Sequence, residues 1–413
     1  MNLFISRVGR MCSVIACSIA LLVTNAGCGS NAPVHEDLPP CARALGYRGT
    51  LPLRSALPET DWPTDDDGSW LDRPVPPPLG ALLESRLQSV LAQTGAPGAT
   101  VAIGGPGLGL WQRSLGLART APRVVADDAS LFWWASVGKA YTAVLVLQSV
   151  QQAQLSLDQS VSTWWPHFPE GRHITIAHLL NHTGGLNAAE FTAPPDAIYQ
   201  PPEALVARAQ ASGSLFCPGA YWRYSNTGYI MLGRALELTE GMSYAELLQQ
   251  RVFAPLGLTH STVIDHAPPP VGLVTPHPGN QPVDDAARAT PFAAGSIAAR
   301  ADDVVRFWQA LLTGKLLPTS TVRASFATLY PMFNATDDHY GRGVMVKEWT
   351  DTRGRSRRWL AHQGGHPGTN ALVAYDPMLH VYVAVALNSD VSAVATSNAL
   401  LQTLETWRTA AAP

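Results

Sequence analysis

The sequence has 413 residues, 46% of them hydrophobic, with 28 Lys+Arg against 31 Asp+Glu and a formal net charge of −3. A near-neutral chain lacks the broad cationic field that nucleic-acid binding uses, and this apolar content excludes disorder along the whole length. Repeated apolar runs of membrane-spanning length do not occur, so a globular protein with a large core remains.

The first element is a targeting segment. Arg7 and Arg10 precede an apolar run from Met11 to Val23, and Ala26-Gly27-Cys28 follows. A basic start, a short apolar stretch and a small-residue exit describe a secretory signal over residues 1–27. Ala26-Gly27-Cys28 is similar to a bacterial lipobox, although Asn25 stands where Leu is usual. Lipidation of Cys28 is the leading expectation; plain cleavage and a retained anchor are the alternatives. Either cleavage product would be exported to the periplasm or cell envelope, touching the membrane only through a lipid on Cys28. Export permits disulfides, and Cys41 and Cys217 are the pair then left to form one.

Residues 28–78 are expected to be a Pro-rich tether, because proline fixes φ and removes donors. Trp62 and Trp70 could still pack part of it on the domain. From Leu79 the apolar positions Leu82, Leu83, Leu87, Val90 and Leu91 recur at helical spacing, and Gly95 stops the helix. Ala99–Ile103 and Leu110–Leu117 are expected to be strands. A mostly helical block follows, with helices over Ala140–Gln151, Ile176–Leu180, Pro202–Ala211, Tyr229–Thr239, Tyr244–Val252 and Asp302–Leu312. Strand character returns at Tyr340–Glu348, Arg358–His362, Asn370–Tyr375 and His380–Leu387, and a last helix covers Ser392–Thr409. Hairpin-joined strands make an antiparallel sheet. The fold class is therefore α+β: a sheet lobe from residues 79–130 and 330–410, flanked by helices, with a helical lobe at 131–329 inserted. The unit spans 79–410.

Three short motifs carry chemistry. The chain has only three lysines, and Lys139 stands three residues after Ser136 in Ser-Val-Gly-Lys. On a helix those positions share a face, so the amine can reach the hydroxyl and take its proton. Apolar neighbours on both sides imply that Lys139 is buried, and a buried lysine without a role is rare. At a helix start the N–H of Ser136 is free to serve an oxyanion. Tyr224-Ser225-Asn226 lies on a loop feeding a helix; a phenol there can relay a proton and an amide can hold a carbonyl. His362-Gln363-Gly364, followed by Gly365, ends a strand whose N–H groups can meet an acyl oxygen. Each motif alone is weak, since solvated lysines, Asn-rich turns and Gly-rich strand ends are common.

In this order the three resemble the penicillin-recognising serine hydrolases: class C β-lactamases, D-alanyl-D-alanine carboxypeptidases and family VIII esterases. Supporting phrases run from Ala96-Pro97-Gly98 through Ile174–Leu186, Pro255-Leu256-Gly257-Leu258 and Ala294-Gly295-Ser296-Ile297 to Gly365-His366-Pro367-Gly368. The resemblance implies Ser136 as nucleophile, Lys139 as its base partner and Tyr224 as proton shuttle. It implies Asn226, His362, Gln363 and Gly364 as substrate-binding residues, and the N–H groups of Ser136 and Gly365 as the oxyanion hole. No metal and no cofactor are implied. Lys-Thr-Gly, usual in the β-lactamases, is replaced by His-Gln-Gly, which removes a fixed positive charge. Small esters or amides are therefore the leading substrates, ahead of D-amino-acid peptides and β-lactams. A non-catalytic acyl-binding sensor lipoprotein is the alternative of another class. The pair His178 and His182, at i,i+4 spacing, also raises a metal site, but no Glu follows His178.

Overall fold

A computed structural model describes residues 57–64, 66–187, 200–264, 269–283 and 292–411. The signal segment, Cys28 and Cys41 lie outside these residues. Among the described residues no helix is long and apolar enough to cross a membrane.

The chain opens with helix α1 (Pro77–Thr94), started by prolines in its first turn and stopped by Gly95 in the left-handed region. Strands β1 (Gly98–Gly105), β2 (Gly109–Arg119) and β3 (Val124–Val125) follow, then the two-residue strand β4 (Phe132–Trp133). The inserted block holds α2 (Gly138–Gln151), α3 (Ile176–Leu180), α4 (Pro202–Ser212), α5 (Asn226–Glu240), α6 (Tyr244–Leu248) and α7 (Ala254–Leu256). It continues through β5 (Ser261–Val263), β6 (Ile297–Ala299), α8 (Ala301–Leu312) and α9 (Thr319–Ser325). The C-terminal part supplies β7 (Tyr330–Pro331), β8 (Asp338–Tyr340), β9 (Met345–Thr350), β10 (Ser356–His366), β11 (Thr369–Asp376), β12 (Val381–Leu387) and α10 (Ala393–Ala411).

One nine-stranded sheet runs β3-β2-β1-β12-β11-β10-β9-β8-β7, and every pairing in it is antiparallel. The first and last parts of the chain meet where β1 pairs with β12, Val101 opposite Val385. Both faces of the central strands are covered, so β12 is buried at every position. Its side chains alternate between two cores. Val381, Val383, Val385 and Leu387 face the layer of α1 and α10, with Leu83, Leu87, Leu400 and Leu404. Tyr382, Ala384 and Ala386 face the core shared with α8 and the helical block. Helix α2 is buried along almost its whole length at the centre of that block.

Two findings modify the sequence-based expectations. Residues from Leu57 onward are packed rather than a spacer: Leu57, Trp62, Trp70, Leu71 and Val75 are all buried. Trp70 stacks on Tyr382 at 5.4 Å, and Arg358 pairs with Asp61 and Glu348. The helical block also contains a three-stranded sheet, β4-β6-β5, that the sequence did not announce. Strands of two or three residues are too short to show a period.

Asp66 ties the N-terminal segment down. Its carboxylate accepts from Gly68 N (3.0 Å), Trp70 Nε1 (2.8 Å), Gln309 Nε2 (3.2 Å) and the Tyr382 hydroxyl (2.7 Å). Asp66→Ala leaves those donors unpaired and is expected to cost about 2–4 kcal/mol of stability. Urea denaturation measures it; an unchanged midpoint would show that this segment is not coupled to the sheet.

Candidate functional site

Ser136 lies in a single 3-10 turn, Ala135–Val137, between β4 and α2. The turn is held from behind: Trp134 N donates to Ile297 O, Trp133 Nε1 to Gly295 O and Trp134 Nε1 to Ala299 O. Ala135 is forced to φ 45°, a left-handed value that costs a non-glycine residue energy. The small sheet β4-β6-β5 thus fixes the backbone that carries the hydroxyl.

Lys139, one turn into the same helical run, is completely buried. Its Nζ is 3.0 Å from Ser136 Oγ, 2.6 Å from Asn226 Oδ1 and 2.6 Å from Ala294 O. The i,i+3 spacing therefore does what helical geometry allows. Gly138 between them is required by close approach: a Cβ there would meet Gly295 Cα at 3.1 Å. That contact brings the segment Ala294–Ile297 against α2 and delivers the Ala294 carbonyl to the lysine.

Asn226 is the first residue of α5, and Ser225 occupies the N-cap position. Tyr224 precedes them, with Lys139 Nζ 4.8 Å from its ring centroid. His182 clamps this loop from both sides of the tyrosine. Its carbonyl accepts from Arg223 N (3.0 Å) and its Nδ1 accepts from Ser225 N (3.2 Å). The His182 ring lies 4.3 Å from the Tyr224 ring and 4.4 Å from that of Tyr340. His178 turns elsewhere, closing a capping box with Thr175 at the start of α3. The two histidines therefore serve different parts of the frame. Among the described residues no three His, Cys, Asp or Glu side chains come together as metal ligands.

The third motif closes the site. β10 pairs with β9 only as far as Ala361, opposite Met345, whereas its pairing with β11 continues to His366. Residues 362–366 therefore present an open edge. Gln363 N–H points toward that edge, 3.4 Å from Met345 Sδ. Backbone direction alternates along a strand, so Gly365 N–H, two residues on, faces the same side. Gly364 lies against the Ser136 turn: a Cβ would stand 2.2 Å from Trp134 O and 3.0 Å from Ser136 N. Only glycine lets the strand come this near.

His362 is fully buried behind the site rather than at its surface. Its Nδ1 is 2.9 Å from Gln363 O, a carbonyl that can only accept, so Nδ1 carries the proton. In the neutral ring Nε2 then faces the Tyr340 hydroxyl at 3.2 Å, whose one proton serves either Nε2 or the Tyr229 oxygen. Tyr229, whose oxygen is 3.3 Å from that of Tyr340, donates onward to Leu180 O. Burial, and secondarily the charge of Lys139, lowers the His362 pKa to about 3; the same causes lower His182 well below its ordinary value. Both imidazoles are neutral at pH 7.

The structure thus gathers Ser136, Lys139, Tyr224, Asn226 and Gly364, with Gly365 next along the same strand edge, and sets His362 behind them. Cys217 is disulfide-bonded, and Cys41, its expected partner, lies outside the described residues. Sequence reasoning assigned no positioning task to His182, Ala294 or Tyr340. The first two stood inside quoted phrases whose geometry only the fold supplies.

The Beta-lactamase family profile matches residues 83–405. Penicillin-binding protein 4* of Bacillus subtilis is 28% identical over 288 residues, covering 64% of this chain. The match spans 62% of that relative's length, under two thirds of it. Esterase EstB of Burkholderia gladioli is 32% identical over 200 residues, 44% of this chain and 50% of that protein. The structure of D-amino acid amidase from Ochrobactrum anthropi SV3 superposes with a TM-score of 0.70 at 22% identity, over 80% of this chain and 99% of the amidase; at that identity the likeness is one of fold.

The buried histidines make stability depend on pH. The unfolded chain binds a proton on His362 below about pH 6.5, and the folded chain resists it until about pH 3. Stability is therefore full well above pH 6.5 and falls as the pH drops through this window, by roughly 3 kcal/mol for this one residue by pH 4. His362→Asn should flatten the slope between pH 7 and pH 4 in denaturant titrations. An identical slope in the variant would refute the assignment.

Proposed function

The chain belongs to the beta-lactamase family of hydrolases, and on that premise we propose that Ser136 is its nucleophile, forming an acyl-enzyme on small uncharged esters or amides, with esters preferred. The observation that carries the proposal is the buried Lys139 amine 3.0 Å from the Ser136 hydroxyl. The resting ammonium donates to Ser136 Oγ, Asn226 Oδ1 and Ala294 O; on losing one proton it keeps two hydrogens for Asn226 Oδ1 and Ala294 O and turns its lone pair to Ser136 Oγ. The serine proton passes to that lone pair as Oγ bonds to the acyl carbon. The carbonyl oxygen, now negative, is met by the N–H groups of Ser136 and Gly365. Collapse breaks the bond to the leaving group, which takes a proton by way of Lys139 and the adjacent Tyr224 phenol. Water then attacks the acyl-enzyme, gives its proton to the same pair, and releases the acid. Asn226, with its oxygen held by Lys139, turns its amide nitrogen to the acyl side of the substrate.

The neutral, buried His362 favours uncharged substrates. A lysine at this strand position would offer a fixed charge to a substrate carboxylate; a neutral imidazole bonded to Gln363 O and Tyr340 does not. The relatives named as an esterase and as an amidase support ester or amide chemistry. A D-amino-acid peptidase is the second reading, favoured by the amidase-like fold. We place the reaction in the cell envelope, as the basic and apolar residues of 1–27 suggest and as a disulfide at Cys217 suits. A lipid on Cys28 remains part of that proposal.

Ser136→Ala is expected to lower turnover of p-nitrophenyl butyrate by at least ~10³-fold and to abolish labelling by a fluorophosphonate. Tyr224→Phe should lower kcat by ~10²-fold with the acyl-enzyme still trapped. Nitrocefin and a D-Ala-D-Ala peptide run beside the ester distinguish the substrate classes. Undiminished ester hydrolysis by Ser136→Ala would sink the mechanism, and labelling without turnover of any of the three would identify a sensor.

A further inference from the structure

Most large aromatic side chains here are buried, but Phe333 is 64% exposed. It lies on the short connection between β7 and β8, whose base is fixed by the pairs Tyr330↔Tyr340 and Pro331↔His339. Phe333 and Asn334 both take left-handed backbone angles, φ 52° and 63°. Two adjacent non-glycine residues in that region cost energy, and such strain persists where the surroundings impose it, often at functional sites. Here it holds an apolar ring in solvent, which hydrophobicity opposes.

The ring is not isolated. It meets Trp222 edge-on at 5.5 Å and Tyr224 at 6.3 Å. Trp222, Met332 and Met345 form a buried apolar cluster beneath it, with Tyr224 and Tyr330 packed against the edge. The patch adjoins the Tyr224 ring, and its Met345 also accepts Gln363 N–H at the open edge of β10. A leaving group that collects its proton at the Tyr224 phenol is therefore within reach of the Phe333 ring, 6.3 Å from that of Tyr224.

We propose that Phe333, with Trp222 and the ring of Tyr224, forms an apolar leaving-group subsite that selects esters of aromatic or bulky apolar alcohols. The inference rests on the Ser136 acyl-enzyme reading and adds the identity of the departing half. Phe333 is a specificity-determining residue; it touches no reacting atom. One face of an aromatic alcohol is buried against it, so the gain in kcat/KM is on the order of 10-fold.

The test compares ethyl, benzyl and 2-naphthylmethyl acetates, which share an acyl group and have primary alcohols as leaving groups. For Phe333→Ala, kcat/KM on the two aromatic esters should fall ~10-fold relative to wild type through a higher KM, with ethyl acetate changed less than twofold. Phe333→Leu should restore most of the difference, because it restores apolar area. An equal effect on all three esters, or none, overturns the subsite. A loss that tracks acyl length in ethyl acetate, butyrate and octanoate would move the surface to the acyl side and also overturn it. Ser136→Ala assayed in parallel separates the two ideas: loss of activity there with an unchanged ester ratio in Phe333→Ala rejects only the subsite.

Discussion

The site depends on one buried amine. Lys139 Nζ reaches three acceptors from three separate parts of the chain: Ser136 beside it, Asn226 at the start of α5, and Ala294 before β6. Taking an amine out of water is costly unless its hydrogens are placed, so the lysine forces those three segments to converge. Each arrives by its own constraint. Ser136 is brought by helical spacing, Asn226 by the N-terminus of a helix, and Ala294 by the glycine contact at Gly138. The amine thus acts as a structural knot before it acts as a base.

The sheet supplies the other half. β10 serves two purposes along its length, pairing on both sides up to Ala361 and on one side afterwards. The change converts a structural strand into an edge whose N–H groups no longer meet a neighbouring strand, Gln363 N–H reaching only the Met345 sulfur. Gly364 then lets that surface approach Ser136 to within backbone contact. β9 diverges because the chain turns at Gly341–Val344, where Gly341 N donates to Val344 O. The gap is thus set by a turn rather than by the strand itself.

Much of this was legible in the sequence because periodic segments and catalytic spacings are local. Helix α1, strands β1, β2, β11 and β12, and helix α10 fall close to where apolar period and turn residues put them. The split of the sheet between the two ends of the chain followed from strand patterns at 99–117 and 340–387 on either side of the helical block. Three things were not legible. The strands β4, β5 and β6 are too short to carry a period, yet they hold the nucleophile turn. The segment after Leu57 looked mostly like spacer because of its proline content; Trp62 and Trp70 were visible as anchors, whereas the burial of Leu57, Leu71 and Val75 was not. His182 carried no signal of its own task, since a clamp that uses a carbonyl and a ring nitrogen on a distant loop exists only in three dimensions.

His362 in place of lysine changes the charge balance of the proposed site. A buried lysine in this place would add a second cation near Lys139, and the two would repel unless a substrate anion neutralised them. His362 removes that conflict by being neutral, and it fills its hydrogen bonds internally through Gln363 O and Tyr340. The frame then needs no substrate charge to balance it. Binding must come from the remaining surfaces, which are the open strand edge and the aromatic patch around Tyr224. An apolar patch rewards apolar groups and gives nothing to a carboxylate. On the proposed reading, neutral esters suit both features, the first by asking for no charge and the second by supplying the contact area.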